Sequence, residues 1–381
     1  MASVSPIPLD IKRFAMIFST VVAATAFAVS VAASPVAAPF KGVYWKDGHG
    51  PNAQIANNAA ASSNLAYKGG PLLANIVVKP LYWSSAVKYN YDPFYSASVV
   101  GTASSPAQFM ALTTEYSVPA YKMGAGSFSA SITNAAGASS GTVTVTSVEA
   151  YIKTLVANGS LDPSGGSLYV PVHFAAGVTI KEDTNLGLGN SCTSWCAYHY
   201  SVNTSKGWVY YGIHPEMSSG GCAGGCGTGN AFANNCAVAS HELAEAATDA
   251  DQPQTGWINP NGEIGDLCNG QQSTFCGADG YQYTVQKQWS NAKGACAAAS
   301  TNGQSCAKGA ANGAWPTGPV PTTTSTKVVS TTKAASTSSK PSPVQGAPCA
   351  AFGSVQCVNH AQFQCAYWTG NALTWGAYGN C

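Results

Sequence analysis

The sequence predicts a mixed α/β (α+β) main domain cross-linked by disulfides, then a linker, then a small disulfide-linked C-terminal module that is mostly β or irregular. Three observations predict this organisation. Strand-like and helix-like runs alternate between residues 40 and 310. A Ser/Thr/Pro-rich stretch follows at residues 315–345, which is typical of an extended and O-glycosylated linker. The 13 cysteines divide into nine between Cys192 and Cys306 and four between Cys349 and Cys381, and such usage is typical of exported proteins.

The N-terminus has the features of a secretory signal. Lys12 and Arg13 form a positive start, an apolar run extends from Phe14 to Ala33, and its last residues are small, as a cleavage site requires. We therefore expect residues 1–33 to be removed and the mature protein to be extracellular, at the cell wall and not in a membrane. The alternative is an uncleaved anchor, because the apolar run is long enough to span a bilayer.

The main domain, residues 40–310, alternates apolar and aromatic runs with segments whose apolar residues recur at helical spacing. Asn234 or Asn235 is the expected N-cap of its last helix. The pattern predicts strands at residues 76–83, 168–174 and 207–212, and helices at residues 105–112, 148–156 and about 235–247.

The nine cysteines of the main domain cannot all pair with one another, so one thiol must be left over, either buried or joined to another molecule. Cys192-x3-Cys196 and Cys222-x3-Cys226 also have spacings seen in zinc sites. In an oxidising compartment we favour disulfides at all four positions. Sequons for N-glycosylation begin at Asn158 and at residue 203.

An unusually acidic segment lies on the last predicted helix and just after it. Six of the 16 acidic residues fall between Glu242 and Asp266, and no Lys or Arg occurs between Lys206 and Lys287. Clustered carboxylates without cations repel one another and resist desolvation, so we expect a bound metal ion among them. The single arginine, Arg13, lies in the signal segment and the formal net charge is +1, which argues against nucleic acid as a partner.

The spacing of the acidic residues predicts a zinc site. His241 and Glu245 are four residues apart, so they project from one helix face and can bind the same ion. Glu242 lies about 100° further around the helix, beside the ion. This H-E-x-x-E pattern is that of a zinc-peptidase helix with Glu in place of the second His, and Glu242 would be the general base. Glu263 is the expected third ligand, with Asp266 supporting it or exchanging that role.

Other interpretations of the segment stay open. Asp251 is an alternative third ligand, calcium bound by oxygens alone would be a structural clip, and a solvated acidic face would bind no metal. A glycosidase would use paired carboxylates, and only the presence of His241 separates that class from a metal site. The other histidines of the main domain are each expected to be structural: His49, His173, His199 and His214. His214, two residues before Glu216, is the one worth re-examining.

The C-terminal segment, residues 346–381, predicts a carbohydrate-binding module. It has no charged side chain between Cys349 and Cys381 but six aromatic residues. A module this small cannot bury six rings, so its cysteines must stabilise it and some rings must be exposed. Exposed rings suit the apolar faces of a neutral sugar polymer; the alternative is an aromatic core without a ligand. The candidate binding residues are Tyr367, Trp368, Trp375 and Tyr378.

Two resemblances extend this interpretation. The Cys-x7-Cys-x7-Cys-x15-Cys tail behind a Ser/Thr linker resembles the small fungal chitin-binding modules of carbohydrate-binding family 19, although its last cysteine spacing departs from theirs. The resemblance implies chitin or a related neutral cell-wall polysaccharide as ligand, with Trp368 and Trp375 as stacking residues.

The second resemblance is in the main domain. The run from Tyr67 to Leu73, the strand ending at Trp83 and the segment from Cys196 to His199 resemble the EXORDIUM, or phosphate-induced protein 1, group. This implies a cell-wall location. The plant members lack the His-Glu helix, so the metal site rests on this chain alone. The sequence thus predicts a wall-bound zinc peptidase acting on a protein substrate, or a non-enzymatic chitin-binding protein with a structural cation.

Overall fold

The structure is a computed structural model of the chain. It describes residues 42–47, 64–101, 108–250, 255–299 and 306–315, and the backbone of three strands within residues 355–380. Contacts divide the chain into two units, residues 1–317 and 318–381. The predicted signal segment and linker lie outside the described residues. Among those residues, no helix combines the length and the hydropathy that a membrane span needs.

The first unit contains sixteen strands and three α-helices within the described ranges, which confirms the mixed α/β prediction. The strands are β1 Val43–Trp45, β2 Ala66–Tyr67, β3 Val77–Val78, β4 Leu81–Tyr82, β5 Ser127–Phe128, β6 Ile132–Thr133, β7 Gly141–Thr144, β8 Leu168–His173, β9 Val178–Lys181, β10 Trp195–Thr204, β11 Gly207–His214, β12 Trp257–Ile258, β13 Gln272–Cys276, β14 Gln282–Gln286, β15 Gln288–Ser290 and β16 Ala295–Ala297. The helices are α1 Asp92–Val99, α2 Val145–Ala157 and α3 Ala231–Thr248, with 3-10 helices at Met110–Tyr116, Gly220–Ala223 and Asp266–Cys268.

The central element is an eight-stranded sheet with the order β1-β10-β11-β8-β3-β5, to which β4 and β6 add beside β8. β1, β10 and β11 are antiparallel to one another, whereas β11 pairs with β8 in parallel. β8 also pairs in parallel with β3 and β4. The sheet is therefore mixed, with its longest strands, β10 and β11, near one side.

Both faces of this sheet are covered. Leu168, Val170 and Val172 on β8 pack with the apolar side of α2 in one core cluster. The alternate residue Tyr169 packs with α1 and α3 in another. Because successive strand residues point to opposite faces, the sheet separates two cores. A strand that is covered on both faces has a continuous run of apolar residues. This is why β8 was predictable from sequence.

The predicted strand at residues 76–83 is divided in two. β3 pairs with Leu168 and Tyr169, and β4 pairs with Val172 and His173. Pro80 falls in the gap between them, and Pro171 falls in the gap between the two paired stretches of β8. Proline has no backbone N–H to donate. The ladder is therefore interrupted at the level of these two prolines.

Two predicted helices have different outcomes. The helix predicted at 148–156 is confirmed as α2, which ends at Ala157 with Asn158 as its C-cap and Gly159, with φ of 80°, after it. The helix predicted at 105–112 is wrong as drawn, because the described part of that region forms a 3-10 helix from Met110 to Tyr116. Residues 102–107 lie outside the described part of the chain.

Helix α3 confirms the third predicted helix but begins earlier than expected. Its N-cap is Asn230, whose side-chain oxygen accepts a hydrogen bond from the Ala233 N–H at 3.0 Å. Asn234 and Asn235 lie inside the helix and bind neighbouring segments instead: Asn235 holds the carbonyl of Pro215 at 3.0 Å. From Asn234 onward every residue of α3 is buried. Its many alanines allow this close approach to the sheet.

Four disulfides cross-link the unit, as the cysteine count predicts. They join Cys192 to Cys222, Cys196 to Cys226, Cys268 to Cys296, and Cys276 to Cys306. The zinc-type spacings are thus disulfide positions. Within the described ranges, the one cysteine left over is Cys236, which is buried in α3.

The second unit contains β17 Val355–Val358, β18 Ala361–Ala366 and β19 Thr374–Asn380. They form one antiparallel sheet in the order β17-β18-β19. Trp375 lies opposite Cys365 in the register of β18 and β19. Tyr378 also lies on β19, whereas Tyr367 and Trp368 lie outside the described residues.

Candidate metal centre

Helix α3 and strand β10 supply the centre of the site. His241, Glu242 and Glu245 lie on α3, and His199 on β10 reaches them from the sheet; all four side chains are 0% exposed. His199 belongs to the strand face opposite Tyr198, which packs in the α2 core. The alternation along β10 therefore turns His199 toward α3.

A loop and a 3-10 helix close the site from the other side. Glu263 is buried, and its N–H donates to Asp266 Oδ2 at 3.1 Å. The N–H groups of Gly265 and Asp266 both donate to Glu245 Oε1, at 3.1 and 2.9 Å. The disulfide from Cys268 to Cys296 anchors the end of this segment. One oxygen of Glu245 is thus held by backbone donors.

The first group of ligand-type atoms comprises His241, Glu245 and Asp266, whose ligand atoms lie within 4.8 Å of one another. His241 Nε2 is 3.0 Å from Glu245 Oε2 and 3.9 Å from Asp266 Oδ1. None of these three buried atoms has a hydrogen-bond partner among the residues that the structure describes. Buried polar atoms in proteins are nearly always hydrogen-bonded, so this convergence calls for a ligand.

The second group comprises His199, Glu242 and Glu245. His199 Nδ1 is 3.3 Å from Glu242 Oε2 and 3.6 Å from Glu245 Oε2. On its other side, His199 Nε2 is 3.1 Å from the backbone oxygen of Asp249 and 3.7 Å from Glu263 Oε2. Glu245 Oε2 belongs to both groups and is therefore the centre of the site.

Five buried carboxylates meet two histidines here. With every group ionised the cluster carries five negative and two positive charges, a net charge of −3. An uncompensated buried charge costs several kcal/mol, so the cluster needs either protons or a cation. The five acids are Glu242, Glu245, Asp249, Glu263 and Asp266, each 4% exposed or less.

The pKa values follow from this balance. Burial lowers the pKa of His199, but Glu263 and the other carboxylates outweigh it and raise that pKa well above its usual value. For His241, burial is likewise outweighed by Glu245 and its neighbours, and the pKa is raised to about 9. The amide of Gln286, which faces Nδ1 of His241 at 2.8 Å, opposes a proton on that nitrogen.

The carboxylates divide into two classes. The pKa of Glu245 is lowered to about 2, because the two histidines outweigh the effect of burial. The pKa of Glu242 is raised by burial. That of Glu263 is raised well above its usual value by burial and by Asp249, and that of Asp266 to about 7 by burial and by Glu245. A cation in the site would reverse these upward shifts.

The distances suit a small divalent ion. Ligand atoms bound tetrahedrally to zinc at its usual bond lengths lie about 3.3 Å apart. The histidine-to-carboxylate separations in the two groups run from 3.0 to 3.9 Å, and all ligand atoms of a group lie within 4.8 Å of one another. Zinc accepts both imidazole nitrogen and carboxylate oxygen, whereas calcium takes oxygen ligands. The site therefore offers an ion a mixed set of nitrogen and oxygen donors.

The structure brings together five residues that the sequence proposed: His241, Glu242, Glu245, Glu263 and Asp266. It places them differently from the expected order. Asp266 joins Glu245 beside His241, whereas Glu263 lies on the His199 side. Asp251, the alternative ligand, lies outside the described residues.

His199 was predicted to be structural, and its place in the site was not predicted. The signal that could have found it is the strand pattern of residues 195–204, which puts alternate residues on the face toward α3. His173 meets the structural expectation, since it bonds the Tyr95 hydroxyl at 2.9 Å and stacks on Tyr91. His214 stacks on His173 with ring centroids 4.9 Å apart. His49 lies outside the described ranges.

No protein-family model, curated protein or solved structure matches this chain. The resemblances to the EXORDIUM group and to carbohydrate-binding family 19 therefore stay predictions. The interpretation of the site rests on its own residues.

Proposed function

We propose that the main domain binds one zinc ion at the buried site and that this ion stabilises an extracellular protein which attaches to chitin through its C-terminal module. One observation carries the metal proposal. Glu245 Oε2 belongs to both groups of ligand-type atoms, is buried among an excess of carboxylates, and has no hydrogen-bond partner among the described residues. A divalent cation bound at this oxygen offsets the excess negative charge.

Burial favours a structural role for the ion. A peptidase must admit a peptide bond to its metal and keep one coordination position open, whereas structural zinc sites are closed by protein ligands. His199, His241, Glu242 and Glu245 are all 0% exposed. The four disulfides of this unit suit an oxidising compartment.

The metal content of the secreted full-length protein tests this proposal. We expect one zinc per chain by elemental analysis, and less than a tenth of that in Glu245→Gln. Glu149→Gln is the matched control, because Glu149 is also a helical glutamate but bonds the Tyr211 hydroxyl on the α2 side. Wild-type protein without zinc after purification in zinc-supplemented buffer would refute the proposal.

A zinc peptidase is the second candidate, and one observation favours it. The Glu242 carboxylate lies within 4.8 Å of the ligand atoms of Glu245 and His199, close enough to polarise a water on an ion bound between them. Hydrolysis of casein by wild-type protein, lost in Glu242→Gln with zinc retained, would establish this function. We expect no hydrolysis by wild-type protein.

A further inference from the structure

We propose that His199, through Nδ1, is the imidazole ligand of the cation together with Glu242 and Glu245, and that Gln286 keeps His241 from ligating. This assignment rests on the cation site proposed above. It differs from the sequence motif, in which His241 ligates and Glu242 is a base.

The first step concerns the orientation of the Gln286 amide. Its Oε1 accepts a hydrogen bond from the Gly270 N–H at 3.0 Å, and its Nε2 donates to the Gly265 backbone oxygen at 2.9 Å. Turning the amide over would set oxygen against oxygen at Gly265 and N–H against N–H at Gly270. Both neighbours therefore fix the nitrogen on the Gly265 side.

The second step follows for His241. The same Gln286 nitrogen lies 2.8 Å from His241 Nδ1. An amide nitrogen only donates, so Nδ1 must accept, and the neutral ring then carries its proton on Nε2. A protonated nitrogen has no lone pair for a metal. His241 therefore directs an N–H toward Glu245 and Asp266.

The third step concerns His199, whose two nitrogens have opposite surroundings. Nε2 lies 3.1 Å from the backbone oxygen of Asp249, which only accepts, so Nε2 carries the proton. Nδ1 then presents its lone pair toward the carboxylates of Glu242 and Glu245, at 3.3 and 3.6 Å. The nitrogen lone pair and the two carboxylates repel one another, and a cation bound between them would be coordinated by all three.

This arrangement matches the usual support of a metal-binding histidine. Such a residue donates its second ring N–H to a carbonyl or carboxylate, which fixes the tautomer and the ring orientation. His199 has this support from Asp249, whereas His241 faces a donor. Glu242 is further held at Oε1 by the Tyr44 N–H at 3.2 Å. With Glu242 as a ligand, its carboxylate is not available as a general base, which agrees with a structural role for the ion.

The test compares His199→Gln with His241→Gln by competition for zinc with a chromophoric chelator, on the full secreted chain. Loss of a supporting residue around a zinc site typically weakens binding about 10–100-fold. We expect His199→Gln to weaken binding more than about 100-fold and His241→Gln by about 10-fold or less. A reversed order, or equally large losses, would overturn the assignment.

A second measurement does not depend on the folding of a variant. Long-range ¹H–¹⁵N spectra of wild-type protein report which nitrogen of each histidine carries the proton. We expect His199 to be protonated at Nε2 in the zinc-loaded protein, with its Nδ1 resonance shifted by zinc, and His241 to keep its Nε2 proton. Loss of the His241 Nε2 proton on zinc loading, or two zinc ions per chain, would overturn the assignment.

Gln286→Glu provides a gain of function. A carboxylate at this position accepts a hydrogen bond from the N–H of His241 Nδ1, so that the neutral ring has its lone pair on Nε2 and can ligate. We expect tighter zinc binding and a further nitrogen ligand in pulsed EPR of the Cu²⁺-loaded variant; an unchanged nitrogen count would contradict the proposed role of Gln286.

The two proposals fail in different ways. Wild-type protein that binds no zinc would refute the proposed function, whereas zinc binding that depends on His241 would refute only the assignment of His199 as the ligand.

Discussion

Glu245 and Asp266 are joined by a hydrogen bond of 2.9 Å from the Asp266 N–H to Glu245 Oε1. The Gly265 N–H donates to the same oxygen. Because two backbone donors occupy Oε1, the carboxylate is fixed and Oε2 is turned toward the histidines. The loop after α3 therefore orients the central residue of the site, a role that supporting hydrogen bonds have around metals.

Removing the ion should destabilise the main domain. A ligand present at 100 times its Kd stabilises the folded state by about 2.7 kcal/mol. For a domain of this size that corresponds to about 5–10 °C in Tm. We expect a zinc chelator to lower the Tm of wild-type protein by this amount in differential scanning calorimetry.

The control for chelation is Glu245→Gln, whose Tm should be low already and should not respond to the chelator. A zinc-loaded wild-type protein whose Tm is unaffected by complete zinc removal would show that the ion does not stabilise the fold.

Gly265→Ala should damage the site directly. A Cβ at this position would lie 2.7 Å from His241 Nδ1 and 2.8 Å from Glu245 Oε1, so the loop must move away from both. We expect zinc affinity to fall about 10-fold or more and stability to fall by about 1–3 kcal/mol. Chelator competition and denaturant unfolding measure the two effects.

Gly165→Ala is the matched control for this substitution. A Cβ at Gly165 meets no atom within 4 Å, so neither zinc affinity nor stability should change. Equal behaviour of the two variants would mean that the loop does not hold Glu245 in place.

The sequence predicted the part of the site that is local. His241 and Glu245 are four residues apart on a helix, and helical geometry alone brings them to one face. His199 is 43 residues from Glu242. The position of His199 beside Glu242 depends on the pairing of β10 with β11 and on the packing of α3 against that sheet. Neither follows from a local sequence pattern.

The same distinction explains the fold predictions. β8 was predictable because a strand buried on both faces has a continuous apolar sequence. The break between β3 and β4 depends instead on Pro80 and Pro171 falling at the same level of the sheet, which no local pattern indicates. The cap at Asn230 was missed because three asparagines occur near the start of α3. Hydrogen bonds to residues outside the helix use the other two.

Cys236 should be the single thiol of the protein. It is 0% exposed on α3, and burial raises the pKa of its thiol well above the usual value. With four disulfides in the main domain and two predicted in the tail, we expect no thiol to titrate in native protein and one per chain in denaturant. Thiols that titrate in native protein would contradict this placement.

Substitutions at Cys236 should separate packing from polarity. Cys236→Ala removes one buried sulfur and should cost about 1 kcal/mol of unfolding free energy. Cys236→Ser buries a hydroxyl group in the same position and should cost about 1–3 kcal/mol. Denaturant unfolding of both variants measures the difference, and a more stable serine variant would place the side chain in a polar environment.

The tail should bind chitin through its tryptophans. Trp368 and Trp375 offer flat apolar faces in a module without charged side chains between its cysteines, and alanine removes the face on which a sugar ring stacks. We expect Trp368→Ala and Trp375→Ala each to reduce retention on chitin beads at least 10-fold. Salt should have little effect, because the module has no charge to screen.

Trp208→Ala is the control for the tail, since Trp208 on β11 is 46% exposed and belongs to the main domain. Its retention on chitin should equal that of wild-type protein. If Trp208→Ala loses retention while both tail variants keep it, the main domain carries the binding and the aromatic residues of the tail form a core of their own. If only the tail variants lose it, the tail carries the binding through these two rings, and its cysteines are expected to supply the stability that so small a core cannot.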